Sequence, residues 1–216
     1  MAINTEYGAF DSSKQILHRT HFDEDIDAAS PRPGQQLYEK MVSGLYLGEI
    51  VRRVLLELHT VHNFFDGQDA SQLRERNILD TSFLSSIEVD TSDTCEAVRQ
   101  LMKEKLNLDT TFEERKTTRY LVDVVGTRSS RLYACGIAAI CKKRGVARGK
   151  VGVDGSVFKH YTGFRLRAAR ALREILDWPE GEPDPITFHM SEDGSGAGTA
   201  LVAALALKHK STGVEL

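Results

Sequence analysis

The chain has 216 residues, 41% of them hydrophobic, which is long enough to enclose a core and too apolar for a disordered segment. Its 28 basic and 31 acidic side chains are intermixed, for a formal net charge of −3, so no broad positive field exists to hold nucleic acid or an anionic membrane. Cys95, Cys135 and Cys141 are odd in number and lack CxxC spacing, which argues against a disulfide framework or a zinc site and for a reducing compartment. The first residues carry neither a basic n-region nor an apolar h-region, and no run approaches the roughly 18 apolar residues of a membrane span. The expectation is a soluble, cytoplasmic protein without nucleic-acid or membrane partners.

In chain order, an apolar start that reads as a short strand leads into residues 11–33, rich in Asp, Ser, His and Pro and expected to be loop with at most one helical turn. Over 34–62, Leu37, Met41, Leu45, Val51, Val54, Leu55 and Leu58 recur at helical spacing and predict one amphipathic helix, kinked near Gly44 or Gly48. A turn at 64–67 is followed by short helices near 71–76, 81–89 and 94–105, each opened by a Ser or Thr suited to N-capping. Leu121, Val124, Val125, Leu132, Cys135, Ala139 and Ile140 share one face of a long helix over 112–144, which Gly145 ends. A strand over 150–153, a helix over 164–176, a strand over 186–190 and an Ala- and Leu-rich helix over 195–208 complete the pattern. The alternation predicts an α/β fold with a helical majority, in one domain without internal repeats.

Four segments carry possible chemistry. Ser191-Glu192-Asp193-Gly194-Ser195-Gly196-Ala197-Gly198 sets alternating glycines between a strand and a helix, a turn whose N–H groups can approach a phosphate. No Gly-Lys-Ser/Thr follows, and the third glycine comes one residue too early for the dinucleotide fingerprint, so taken alone a tight structural turn is the better reading. Val151-Gly152-Val153-Asp154-Gly155-Ser156-Val157 is a second strand and turn, which could leave Ser156 facing a ligand or could be a hairpin. Asn4-Thr5-Glu6 follows the apolar start, and Gln36 and Glu39 lie on one face of the helix after Gly34. Two carboxylates and an amide suit sugar hydroxyls, because each carboxylate oxygen accepts from an O–H. Composition alone reads the same residues as a turn cap and a solvated face.

The pairs His18/His21 and His59/His62 have HxxH spacing without the HExxH glutamate or a nearby cysteine, and read as surface histidines. With no GxSxG elbow either, a hydrolase has little support.

Taken in order, Ile3-Asn4-Thr5-Glu6-Tyr7-Gly8-Ala9-Phe10, the run from Pro33-Gly34-Gln35-Gln36-Leu37-Tyr38-Glu39 to Glu49, Val153-Asp154-Gly155-Ser156-Val157 and Glu192-Asp193-Gly194-Ser195-Gly196-Ala197-Gly198 resemble the hexokinase family, in particular fungal hexokinases and glucokinases. The resemblance covers essentially the whole chain. It implies the actin-like ATPase (ribonuclease H-like) fold, here as a helix-rich C-terminal large-domain portion. It further implies that Glu6, Gln36 and Glu39 contact glucose hydroxyls, with Asn4 in support. Gly44 and Leu45, the 81–85 segment with Thr81 and Ser85, and Gly155 with Ser156 would line a nucleotide pocket, and Gly194 and Gly196, in the glycine-rich loop near the site, would bind the nucleotide as well. The implied substrates are Mg-ATP and glucose or another hexose.

Tyr7 stands where the family usually has tryptophan, a mild exchange of one aromatic ring for another. The family's phosphate-binding strand turns, its Ser-Phe-Pro-type sugar loop and its aspartate base have no match in the 216 residues. The expectation is therefore a sugar-kinase lobe close to inactive alone, with a missing N-terminal half as its possible partner. The alternative is a non-catalytic regulatory protein that binds sugar or nucleotide.

Overall fold

The computed structural model describes residue 3, residues 5–191 and residues 194–212. In chain order the elements are α1 (His21–Ala28), α2 (Leu37–Val42), α3 (Gly44–His62), a 3-10 turn (Ser71–Arg74), α4 (Thr81–Glu88), α5 (Glu96–Leu106), α6 (Phe112–Arg144), β1 (Gly149–Val153), α7 (Ser156–His160), α8 (Thr162–Leu176), β2 (Ile186–Met190) and α9 (Gly194–Thr212). Among the described residues, no helix is long and apolar enough to cross a membrane.

The 33-residue α6 is the axis of the molecule and has the strongest local signals. Thr111 and Glu114 form a reciprocal capping box, acidic residues fill the first turn, basic residues the last, and Gly145 ends the helix at φ 63°. It runs along α8 and crosses α2, α3, α4 and α5. The main core gathers Leu47, Val51 and Leu55 of α3, Phe83, Leu84 and Ile87 of α4 and Val98 and Met102 of α5 around it. A smaller cluster joins Ile137 and Ala138 of α6 to Leu172 of α8 and Ile186 of β2. Strands β1 and β2 pair in parallel, from Gly149 opposite Ile186 to Val153 opposite Met190, with α7 and α8 as the crossover.

Four sequence expectations need correction. The 11–33 stretch contains an eight-residue helix, α1, opened by a Thr20–Asp23 capping box and held to α6 by Arg128, whose two nitrogens donate to Asp23 at 2.9 and 2.8 Å. That fork spans 105 residues, so local breaker content could not forecast it. The 34–62 helix is not merely kinked but broken at extended Ser43 (φ −76°, ψ 139°) into α2 and α3. The turn after β1 is no hairpin: Gly155 at φ 153°, ψ 145° adopts a conformation open essentially to glycine and starts α7 at once. Finally, residues 3 and 5–7 of the apolar start form no strand. On the outside, α9 leaves Leu201, Val202 and Leu207 exposed.

Candidate functional site

Two adjoining cavities share a wall. The first, about 710 Å³, has Glu6, Gln36 and Glu39 on one side and Gly44, Gly155 and Ser156 on the other. Gln36 precedes α2 in the left-handed conformation (φ 53°, ψ 41°), uncommon for a side chain larger than glycine. The Glu39 N–H donates to the Gly8 carbonyl at 3.1 Å, which lays residues 5–8 against the start of α2. A Cβ at Gly8 would stand 2.6 Å from Gln36 Oε1 and 3.3 Å from Glu39 Oε2, so the amide and the carboxylate converge over Gly8. Glu6 and Glu39 are exposed, leaving their oxygens available to accept from hydroxyls.

The loop delivering Gln36 is held from beneath. Lys40 donates to Asp27 Oδ1 at 2.6 Å and to the Arg32 carbonyl at 2.7 Å, and the Gly34 N–H donates to Asp27 at 3.0 Å. Burial alone would raise the Asp27 carboxyl, but the Lys40 ammonium and the Gly34 N–H outweigh it and hold it below its ordinary value. The floor is aromatic. Tyr7 meets Tyr38 edge-on at 5.3 Å, and Tyr133 lies 4.8 Å from Phe158. Burial raises the Tyr7 and Tyr38 phenols and pushes Tyr133 up to about 12, so this floor stays neutral.

The second cavity, about 550 Å³, brings together Gly44, Leu45, Thr81, Ser85 and Ser156, five of the residues expected at a nucleotide. Its wall is backbone at helix ends. A Cβ at Gly44 would lie 2.5 Å from Val157 Cγ2 and 2.8 Å from Thr81 Oγ1, and the Thr81 hydroxyl donates to the Gly44 carbonyl. Ser85 Oγ donates to the His160 carbonyl at 3.0 Å, tying α4 to α7. At Gly48 a Cβ would stand 2.1 Å from the Leu79 carbonyl oxygen, so no side chain fits between α3 and the 77–80 segment. Glu49 accepts from Arg52 Nε at 2.7 Å and from the Asn77 N–H at 3.0 Å, while Arg52 also donates to the Leu73 carbonyl. Burial works against the Glu49 carboxylate, and Arg52 and the Asn77 N–H overcome it, leaving its pKa lowered.

The other expected residues fall elsewhere or outside the described part. Gly194 opens α9 behind Asp154, whose Oδ2 would lie 3.5 Å from a Cβ there, and neither Gly194 nor Gly196 lines the two cavities. The chain turns helical at Gly194, so these glycines belong to the first turns of α9. Asn4, Glu192 and Asp193 lie outside the described residues. His59 Nδ1 sits 2.8 Å from the Phe64 carbonyl and His21 pairs with Glu57 at 2.7 Å. Asn77, Leu79 and Asp80 line the second cavity and went unnoticed in the sequence. Asp80 alone left a trace, an N-cap accepting from the Phe83 N–H at 3.1 Å one residue before the helix expected at 81.

The family model described as hexokinase matches residues 1–205. The chain belongs to the hexokinase family. It is 50% identical over 216 residues to a hexokinase of Schwanniomyces occidentalis and 47% identical over 217 residues to hexokinase-1 of Saccharomyces cerevisiae, covering 100% of this chain and 45% of each relative. It matches a hexokinase from Schistosoma mansoni complexed with glucose at a TM-score of 0.82 and 34% identity, over 93% of this chain and 45% of that one. The chain thus spans about half the length of the curated relatives it matches. The helix-rich α/β arrangement is that of hexokinases, part of the actin-like ATPase fold.

Proposed function

We propose that these residues form the sugar- and nucleotide-binding part of a cytoplasmic ATP-dependent hexokinase, which moves the γ-phosphoryl group of Mg-ATP to the primary hydroxyl of D-glucose or another hexose, the first step of glycolysis. The observation that carries this reading is the shared wall: Gly44, Leu45 and Ser156 line both cavities. A sugar on Glu6, Gln36 and Glu39 and a nucleotide along Thr81 and Ser85 would meet across it. Those carboxylates accept from sugar hydroxyls, Gln36 can both donate and accept, and the small residues of the wall let the two substrates approach.

In the transfer, the sugar oxygen bonds to the γ-phosphorus, the bond from that phosphorus to the ADP oxygen breaks, and the hydroxyl proton leaves to a base. The chain's proposed share is binding and orientation. The base and the phosphate-cradling turns have no match in its 216 residues, so this polypeptide alone is expected to bind without turning over.

A coupled glucose 6-phosphate assay on the purified chain, run beside calorimetric titration of D-glucose and of Mg-ATP, tests both statements. Saturable binding without turnover is the expected result. Turnover would refute the assignment of the base elsewhere, and a folded chain that binds neither ligand would refute the cavities.

A further inference from the structure

Among the described residues, two ion pairs have both side chains buried, and neither lines either of the two cavities. Asp27–Lys40 and Glu49–Arg52 place four charged side chains out of water, all under a tenth exposed. Stability is a poor reason for them, because well-packed apolar side chains in place of a buried pair are often as stable or more so. What the pairs have in common is what they hold.

Each pair satisfies backbone groups of an irregular segment that rims one cavity. Asp27 and Lys40 take the Gly34 N–H and the Arg32 carbonyl. Two residues later the chain reaches Gln36, whose left-handed backbone persists only where its surroundings impose it. Lys40 follows Glu39 on α2, so the same contact ties the helix carrying Glu39 to the loop delivering Gln36. Glu49 and Arg52 take the Asn77 N–H and the Leu73 carbonyl. Asn77 itself lines the second cavity, and Asp80 three residues on caps α4, which presents Thr81 and Ser85. A charged partner fixes such backbone groups more tightly than water or a neutral one.

We infer that these are positioning pairs divided by ligand, with Asp27–Lys40 setting the sugar-side rim and Glu49–Arg52 the nucleotide-side segment. This rests on the reading of the cavities given above. The partner recognised through the first pair is a polyol, and through the second a nucleoside triphosphate.

The test uses the full 216-residue chain and two double variants, Asp27→Leu/Lys40→Met and Glu49→Met/Arg52→Met, which remove both charges of each pair; Arg53, 3.6 Å from Glu49, keeps its pair with Asp25 at 2.8 Å. Calorimetric titration of the first should show D-glucose binding weakened by about tenfold or more, while Mg-ATP stays within about twofold, because the Asp27 and Lys40 side chains hydrogen-bond to no residue that lines the second cavity. The second should show the reverse. Amide hydrogen exchange on the ligand-free chains should lose protection at 30–36 in the first variant and at 73–80 in the second. If a double variant does not fold, Lys40→Arg and Arg52→Lys, which keep the charge but change the donor geometry, carry the same comparison.

Variants that weaken both ligands together, or leave both unchanged, overturn the division. If the unaltered chain binds neither ligand, the cavity reading falls instead. The exchange pattern then decides by itself whether each pair holds its own segment, and protection lost at both segments in either variant overturns that.

Discussion

Where the sugar-side rim presents Glu6, Gln36 and Glu39 as separate side chains on a terminal segment, a loop and a short helix, the nucleotide-side wall presents backbone and small residues at the ends of α3, α4 and α7. On the proposed reading, recognition on the first side resides in individual oxygens that a single substitution can delete. On the second, the same reading puts it in spacing, set by Gly44 against the Val157 and Thr81 side chains and by Gly48 against the Leu79 backbone. The contrast suits the proposed ligands: hydroxyls would be met one at a time, whereas a flat nucleotide would be enclosed by a slot whose width matters more than any one group.

The largest expected effect is at Gly48. Gly48→Val drives a side chain into the Leu79 carbonyl and should cost about 3 kcal/mol of stability while abolishing Mg-ATP binding, as denaturant unfolding and titration would show. Preserved stability and nucleotide affinity would mean that slot width is not the controlling feature.

Next comes Glu39→Ala, which removes one exposed acceptor and should weaken glucose by about 2 kcal/mol, roughly thirtyfold, with the melting temperature unchanged. An unchanged sugar affinity would break the claim that the rim acts through single groups. Smaller still is Ser85→Ala, which loses the 3.0 Å bond to the His160 carbonyl and should weaken Mg-ATP by about 1 kcal/mol without touching glucose.

The smallest effect is in acid. The Asp27 and Glu49 carboxyls lie below their ordinary values of 3.8 and 4.5. Their contribution is therefore complete above those values and lost as pH falls through the lowered ones. Thermal melts should decline in acid below those ordinary values, and the decline should be shallower in either double variant. An identical slope in all three chains would show that these carboxyls do not govern the acid limb.

How much of this was legible in the sequence follows the range of the forces involved. The extent of α6 was readable from its apolar face and from Gly145, because a glycine stop is local, and the 186–190 strand came out with its observed bounds. Helix α1 was not, although the Thr20–Asp23 capping box is a local signal, because the breaker-rich composition around it hid the box and its tie to Arg128 lies far along the chain. The break at Ser43 was half visible: Gly44 marked the place, but the reason for a clean break, the approach of Thr81 and Val157, is tertiary. The same holds at the site. Gln36 and Glu39 looked like a solvated helix face on composition, and only family resemblance put them at a sugar. Asn77 carried no signal at all, since its place in the second cavity is fixed by Glu49, 28 residues away.

The most direct test of the shared wall is amide hydrogen exchange on the unaltered chain with saturating D-glucose and, separately, Mg-ATP. The account predicts added protection at 6–8 and 36–39 with the sugar, at 77–86 with the nucleotide, and at 44–45 and 156–157 with either. Sugar-induced protection away from 36–39, or a wall that responds to neither ligand, would contradict it.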